Sequence, residues 1–285
     1  MTNNTAYATT PTQKLAVAGE TFAYREIGPS DGTPIVMLHH FTAVIDDWDP
    51  AVLDGLATQY RILAFDNRGV GGSTGTVPAS IDDMAKDAVA FIQALGLTKV
   101  HLLGFSMGGF VAQAITLAHP ELVEKLLLTG TGPSGLGGDM NGLVPLVQNS
   151  MARAEKENKH PKHFLFFAET VTSQSAGTDF IARLDTRTPD DRVPAISEEG
   201  MGAHVGAITA WAATDDARTA EIQNTTFIAN GDNDVMIPTK YAFRLHELIP
   251  NSHLSIYPDA GHGGIFQYHE LFVAQALEFL EGTPA

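Results

Sequence analysis

The chain contains no cysteine, which excludes disulfides, thiolate nucleophiles and cysteine-ligated zinc or iron–sulfur centres. Basic residues are scarce: 17 Lys and Arg stand against 33 Asp and Glu, for a formal net charge of −16. Such an acidic chain is repelled by phosphate backbones and anionic lipid, so neither a nucleic acid nor a membrane is an expected partner. No apolar run approaches the roughly 20 residues that a spanning helix needs. Met1 to Lys14 is polar and lacks the apolar stretch of a signal peptide. Residues 1–14 are expected to be a flexible tail, on a cytoplasmic protein that is a monomer or homodimer.

What is present is a sizeable apolar fraction, 44% of 285 residues, enough to bury a large core. Residues 13–28 read as a tight hairpin turning at Gly19-Glu20, with Val17, Phe22, Tyr24 and Ile27 as strand formers. Pro34 to His39 and Tyr60 to Asp66 are continuous apolar runs, the pattern of strands covered on both faces. Residues 46–58 look helical. Ser80 is placed to cap a helix reaching Leu95, with Met84, Ala88, Ile92 and Leu95 at helical spacing and Gly96 as its stop. Strand Lys99 to Gly104, helix Met107 to Ala118 and strand Lys125 to Thr129 follow. This alternation predicts a mostly parallel, doubly wound α/β sheet. It breaks near residue 133 and resumes with a strand at Thr226 to Asn230, a helix at Thr239 to Leu248, a strand at His253 to Tyr257 and a last helix at Ile265 to Leu280. The expected organisation is a core of residues 15–133 and 218–285, with a helical cap inserted at 134–217.

The pattern G-x-S-x-G occurs twice, around Ser73 and around Ser106. A serine nucleophile of this kind needs a sharp turn between a buried strand and a helix, with glycines flanking it where side chains would clash. Ser106 has Val100 to Leu103 before it and the helical run Phe110 to Ile115 after it. Ser73 lies several residues past its strand, with Pro78 close behind, and reads as a loop residue.

With the Gly104-Phe105-Ser106-Met107-Gly108 elbow and the loop Asp66-Asn67-Arg68-Gly69-Val70-Gly71-Gly72-Ser73, the chain resembles the α/β-hydrolase fold superfamily. The D-x-R-G-x-G-x-S loop reads as structural, with Arg68 and Asp66 as an internal ion pair. The resemblance implies a chain order of serine, acid and histidine, the partners lying on loops after late strands. His262, in Asp259-Ala260-Gly261-His262-Gly263-Gly264, is then the general base, its glycines letting the loop approach the elbow. His253 on a strand and His269 on a helix suit structural roles. Asn230 to Pro238 resembles the family's G-x-x-D-x-x-x-P segment and maps the acid onto Asp234, with Asp232 as its rival. Gly130-Thr131-Gly132, the alternative position, offers no carboxylate.

The same resemblance places the oxyanion donors at the backbone of Met107 and, from His39-His40-Phe41, of Phe41. His40 stands where the family has glycine, so a strained backbone is expected there. His39 reads as structural. Adjacent His39 and His40 point to opposite faces of a strand, so no metal is expected, and the chemistry requires no cofactor. The glycines at 69–72 lack the context of a nucleotide site.

The cap carries His163-Phe164-Leu165-Phe166-Phe167, Ile208 and Trp211. His40, Phe164, Phe167 and Trp211 are the candidate substrate-pocket residues. An apolar pocket with few polar groups suits a small-molecule carboxylic ester or lactone, cleaved through an acyl-enzyme. The His-His-Phe start and helical cap look like those of macrolide esterases. Cofactor-free haloperoxidases and perhydrolases share the elbow but continue with proline where Thr42 stands. Epoxide hydrolases and haloalkane dehalogenases, with aspartate at the elbow, are excluded by Ser106. A ligand-binding signalling protein on the same scaffold is the alternative from another class.

Overall fold

The structure is a computed structural model that describes residues 6–282. Strands β1 (Gln13–Val17) and β2 (Glu20–Ile27) form the expected hairpin. Its turn is Ala18-Gly19, one residue earlier than the sequence suggests. Both residues take positive φ, 51° and 91°, the turn geometry that matches strand twist. Then follow β3 (Ile35–Leu38), α1 (Pro50–Leu56), β4 (Ile62–Phe65), α2 (Ile81–Ala94), β5 (Val100–Phe105), α3 (Met107–Ala118) and β6 (Val123–Thr129). The apolar runs of β3, β4 and β5 are buried at every position. Ser80 caps α2 by accepting the Asp83 N–H at 3.1 Å, and Asp49 caps α1.

From Gly137 to Glu221 the described residues form helical elements and loops, with no strand. The α-helices here are α4 (Leu143–Glu157), α5 (Lys162–Phe166), α6 (Val171–Leu184) and α7 (Glu198–Ala212). The two ends of this segment are tied together. The Ser134 N–H donates to Thr219 Oγ1 at 3.0 Å, and the Ser134 hydroxyl donates to the Asp215 carbonyl at 2.8 Å. The α/β alternation resumes with β7 (Thr226–Gly231), α8 (Lys240–Leu248), β8 (Ser252–Tyr257), α9 (Gly264–Gln267) and α10 (His269–Glu281). The single last helix expected from the sequence is thus broken at Tyr268, whose φ and ψ are −107° and 39°. Gln267, just before the break, accepts from Ser173 in α6 and donates to the Asp259 carbonyl, which anchors α9 to its own loop.

The strands make one sheet in the order β1-β2-β4-β3-β5-β6-β7-β8. β1/β2 and β2/β4 are antiparallel, and all later pairings are parallel. Helix α1 packs with α10, and α2 with α3. The strand order reverses between β3 and β5, and in open α/β sheets the crevice at the carboxyl ends beside such a reversal is where ligands bind. The loops after β3, β5, β7 and β8 all open on that side.

The expected tail needs correction for residues 6–14; residues 1–5 lie outside the described residues. Tyr7 is only 2% exposed, its hydroxyl donates to the Ile45 carbonyl at 2.6 Å and its N–H donates to Asp54. Arg187 donates to the carbonyls of Ala8 and Thr10 at 3.1 and 2.7 Å. One aromatic side chain and one cap arginine hold a segment whose composition reads as loose. No helix among the described residues is long and apolar enough to cross a membrane.

Candidate active site

Ser106 sits between β5 and α3 with φ 57° and ψ −120°, a strained backbone for a residue with a side chain. Its flanking glycines are obligatory. A Cβ at Gly104 would lie 2.4 Å from the Gly108 carbonyl oxygen, and one at Gly108 would lie 2.0 Å from that of Leu38. The second contact brings the elbow directly against the end of β3. The Ser106 N–H donates to the Thr129 carbonyl at 2.9 Å, and the Thr131 hydroxyl donates to the Ser106 carbonyl at 2.8 Å. The turn is therefore held from β6 as well. Ser73, by contrast, spends its hydroxyl on the scaffold: it donates to the Asp66 carbonyl at 2.8 Å and accepts the Ala23 N–H at 2.9 Å.

His262 and Asp234 meet across the ends of β8 and β7, Nδ1 to Oδ2 at 2.8 Å. The other carboxylate oxygen of Asp234 accepts the N–H groups of Met236 and Ile237 at 2.8 and 2.9 Å. A carboxylate so engaged is acceptor only, so Nδ1 carries the proton and Nε2 is the basic nitrogen of the neutral ring. That Nε2 is buried and has no hydrogen-bond partner among the described residues. The imidazole lies 4.9 Å from the Phe105 ring and 5.6 Å from the Phe166 ring. Asp232 is exposed and accepts the Ala260 N–H at 3.2 Å, a turn contact away from the imidazole.

The glycines of the histidine loop serve the cap and β7 rather than the elbow. A Cβ at Gly261 would lie 2.7 Å from the Phe166 carbonyl oxygen, whereas the Gly231 Cβ position lies 2.1 Å from the Gly261 oxygen. The Gly263 N–H donates to the Phe166 carbonyl at 2.8 Å. On the elbow side the close approach is made by Gly130, whose Cβ position lies 3.0 Å from the His262 carbonyl oxygen and 2.7 Å from the Phe105 ring.

Met107 is the first residue of α3, so its N–H has no intrahelical partner. Phe41 lies in the loop after β3, and the carbonyl oxygens of Leu38, which ends β3, and of His39 would lie 2.0 and 2.8 Å from a Cβ at Gly108. The Phe41 carbonyl accepts from His40 Nδ1 at 2.9 Å and from the Thr42 hydroxyl at 2.6 Å, which fixes the following peptide. The positive φ of this loop falls on Thr42, at 64°, and not on His40. The Thr42 N–H donates to His204 Nδ1 of α7 at 3.3 Å. Burial lowers His39 to about 4, His40 to about 3 and His204 to about 4, so all three rings are neutral near pH 7.

The segment after the loop is acidic and takes three cap cations. Lys162 pairs with Asp47, whose other oxygen accepts the Val44 N–H at 2.9 Å. Burial alone would raise the Asp47 carboxyl, but Lys162 holds it well below the ordinary carboxylate range. Arg183 grips Asp49 with two bonds of 2.8 and 2.7 Å. Asp46 lies 2.5 Å from Arg25 and 3.9 Å from Arg187.

The expected pairing of Arg68 with Asp66 is not found. Arg68 pairs with Asp87 at 2.8 Å, while Asp66 accepts the N–H groups of Ile45 and Gly72 at 2.7 and 2.8 Å. Asp66 thereby joins the glycine loop to the segment behind Phe41. Three of the candidate pocket residues pack against other side chains. Phe164 packs under Arg153, 4.2 Å from its ring centre, and Phe167 packs on Phe180 at 5.6 Å. Trp211 stacks on Phe110 of α3 at 5.9 Å. The aromatic residue over the site is Phe166, in contact with His40, Phe105 and His262. Phe166 and His204 are the residues that sequence reasoning missed. Among the described residues, no group of three or more His, Asp or Glu is arranged to hold a metal ion.

A solved structure, an alpha/beta hydrolase fold protein from Chitinophaga pinensis, is 36% identical and superposes with a TM-score of 0.93 over 98% of this chain and 100% of that one. A putative carbamate hydrolase of Caulobacter segnis is 28% identical over 83% of this chain and 86% of its own length. The 2-hydroxy-6-oxononadienedioate/2-hydroxy-6-oxononatrienedioate hydrolase of Escherichia coli is 29% identical over 97% of each chain. The family model of the alpha/beta hydrolase fold matches residues 33–267, and the chain belongs to that family.

Proposed function

We propose that this hydrolase cleaves a carboxylic ester or lactone through an acyl-enzyme on Ser106. The observation that carries the reading is the buried His262–Asp234 pair, which leaves an unpartnered basic Nε2 in the loop packed against the elbow strand. The Ser106 oxygen attacks the carbonyl carbon as its proton passes to His262 Nε2. The tetrahedral oxyanion takes the N–H groups of Met107 and Phe41. His262 then gives the proton to the departing alkoxide oxygen, and the C–O bond breaks. Water repeats the sequence on the acyl-enzyme, releasing the acid and restoring Ser106.

The two similar proteins, a putative carbamate hydrolase and a 2-hydroxy-6-oxononadienedioate/2-hydroxy-6-oxononatrienedioate hydrolase, agree with hydrolysis in this family and differ in substrate. Closure of the site favours a small substrate: Ser106 is 5% exposed, His262 1% and Phe41 8%. A macrolide ring would require the cap to move away from the clamps at Asp46, Asp47 and Asp49. The perhydrolase reading is weakened by Thr42, whose N–H is used by His204; proline in its place has no such hydrogen. Turnover of short-chain nitrophenyl esters and of small lactones, with a burst of nitrophenol at high enzyme concentration, tests the proposal. Stoichiometric binding without turnover would support the signalling-protein alternative instead.

A further inference from the structure

His204 is fully buried on α7, and its ring lies 6.2 Å from the Phe41 ring. Because its Nδ1 accepts the Thr42 N–H, the neutral ring must carry its hydrogen on Nε2. That Nε2–H is buried and has no partner among the described residues. His40 and His262 differ in this respect. Their Nδ1–H groups are committed to the Phe41 carbonyl and to Asp234, so their free Nε2 atoms are acceptors. A second orphan donor lies on the same buried face of α7, seven residues on. The Trp211 Nε1–H is buried and unpartnered among the described residues, and its ring stacks on Phe110 of α3. Buried N–H groups destabilise a fold when left unpaired, so two of them on one cap helix, one beside Phe41 and Thr42 and one against α3, call for a partner beyond the described residues.

We propose that His204 is a specificity-determining residue: its Nε2–H holds an acceptor oxygen of the substrate close to the scissile carbonyl. This rests on the ester or lactone reading given above. Closeness to the carbonyl is expected from the Thr42 contact, because Thr42 N is one peptide from the Phe41 N–H assigned above to the oxyanion. The ring is neutral, so the fitting group is an uncharged ether or carbonyl oxygen. The preferred substrate class is then an oxygen-substituted acyl ester or lactone rather than a plain alkyl one.

The test compares nitrophenyl methoxyacetate with nitrophenyl butyrate, which differ by an ether oxygen in place of a methylene. His204→Asn keeps an acceptor near the Nδ1 position and removes the Nε2 donor. His204→Gln keeps a donor near the Nε2 position and removes the Nδ1 acceptor. The ratio of kcat/KM for the two esters, normalised to wild type, removes their difference in intrinsic reactivity. The expected result is a fall of about tenfold in this ratio for His204→Asn and little change in the ratio for His204→Gln. A ratio unchanged in His204→Asn, or both esters slowed equally, would overturn the inference and leave His204 as a support for Thr42. If wild type hydrolyses neither ester, the ester reading fails on its own. The inference is then decided by calorimetric Kd values for methoxyacetate and butyrate: tighter binding of methoxyacetate that His204→Asn abolishes upholds it, and equal binding by wild type overturns it.

Discussion

His262 Nδ1 lies 2.8 Å from Asp234 Oδ2, and both side chains are completely buried. The bond fixes the tautomer, and the two backbone donors on the far oxygen of Asp234 fix the carboxylate. Asp234→Asn leaves the shape nearly intact but presents an amide that can donate, which permits the wrong ring tautomer. The expected outcome is a fall in kcat of about 10³–10⁴-fold with a native circular dichroism spectrum. Activity within tenfold of wild type would place the acid elsewhere.

The two serines of the repeated pattern should separate cleanly. Ser73→Ala strips partners from the Ala23 N–H and the Asp66 carbonyl, both buried. It should lower unfolding stability by about 1–3 kcal/mol and leave kcat unchanged. Urea titration and steady-state kinetics on the same preparation check this. Retained stability together with lost activity would contradict it.

Asp46 anchors two arginines that are themselves buried, at 1% and 4% side-chain exposure. Asp46→Ala leaves those charges uncompensated and removes the acceptor of the Val193 N–H. A loss of about 3–5 kcal/mol in urea unfolding is expected. Loss below 1 kcal/mol would show that the segment behind the oxyanion loop does not depend on this clamp.

Stability should also fall on acidification above the carboxylate range. Burial lowers His39, His101 and His204 to about 4 and His40 to about 3, against an ordinary value near 6.5. Between those limits the unfolded chain binds protons that the folded chain does not. Stability therefore rises with pH through this window and is lost as pH falls from about 6.5 towards 4. His160, also lowered to about 4 by burial, adds to the effect, while Asp66, raised to about 7 by burial, and Asp54, raised for the same reason, act in the opposite sense. Unfolding midpoints at pH 7.5 and pH 5.0 measure the difference, and His101→Gln should shrink it. Equal midpoints would contradict the burial of these rings in the folded state.

The parts legible in the sequence are those set locally. The strand–turn–helix around Ser106 and the glycines beside it follow from spacing, and the same spacing sets Ser73 apart. The cap was less legible because three phenylalanines crowd into five residues at 163–167, and which one faces the site depends on how α5 docks. The Gly263 N–H seats on the Phe166 carbonyl, and that long-range bond selects Phe166 over Phe164 and Phe167. Likewise Arg68 chose Asp87 on α2 over Asp66 nearby in the chain. Thr42 carries the positive φ of the loop after β3, and its N–H is held by His204 from α7, a partner no local pattern reveals. Residues 6–14 are pinned by Tyr7 and by an arginine about 180 positions away, which no local pattern reveals.

The most direct measurement is the mass and position of a fluorophosphonate adduct. Wild type should gain one phosphonyl group, mapped by peptide sequencing to Ser106, and Ser73→Ala should label equally. Ser106→Ala should gain none, and Asp234→Asn should label far more slowly. An adduct on Ser73 or another residue, or undiminished labelling of Ser106→Ala, would contradict a nucleophile at Ser106 activated by His262 and Asp234.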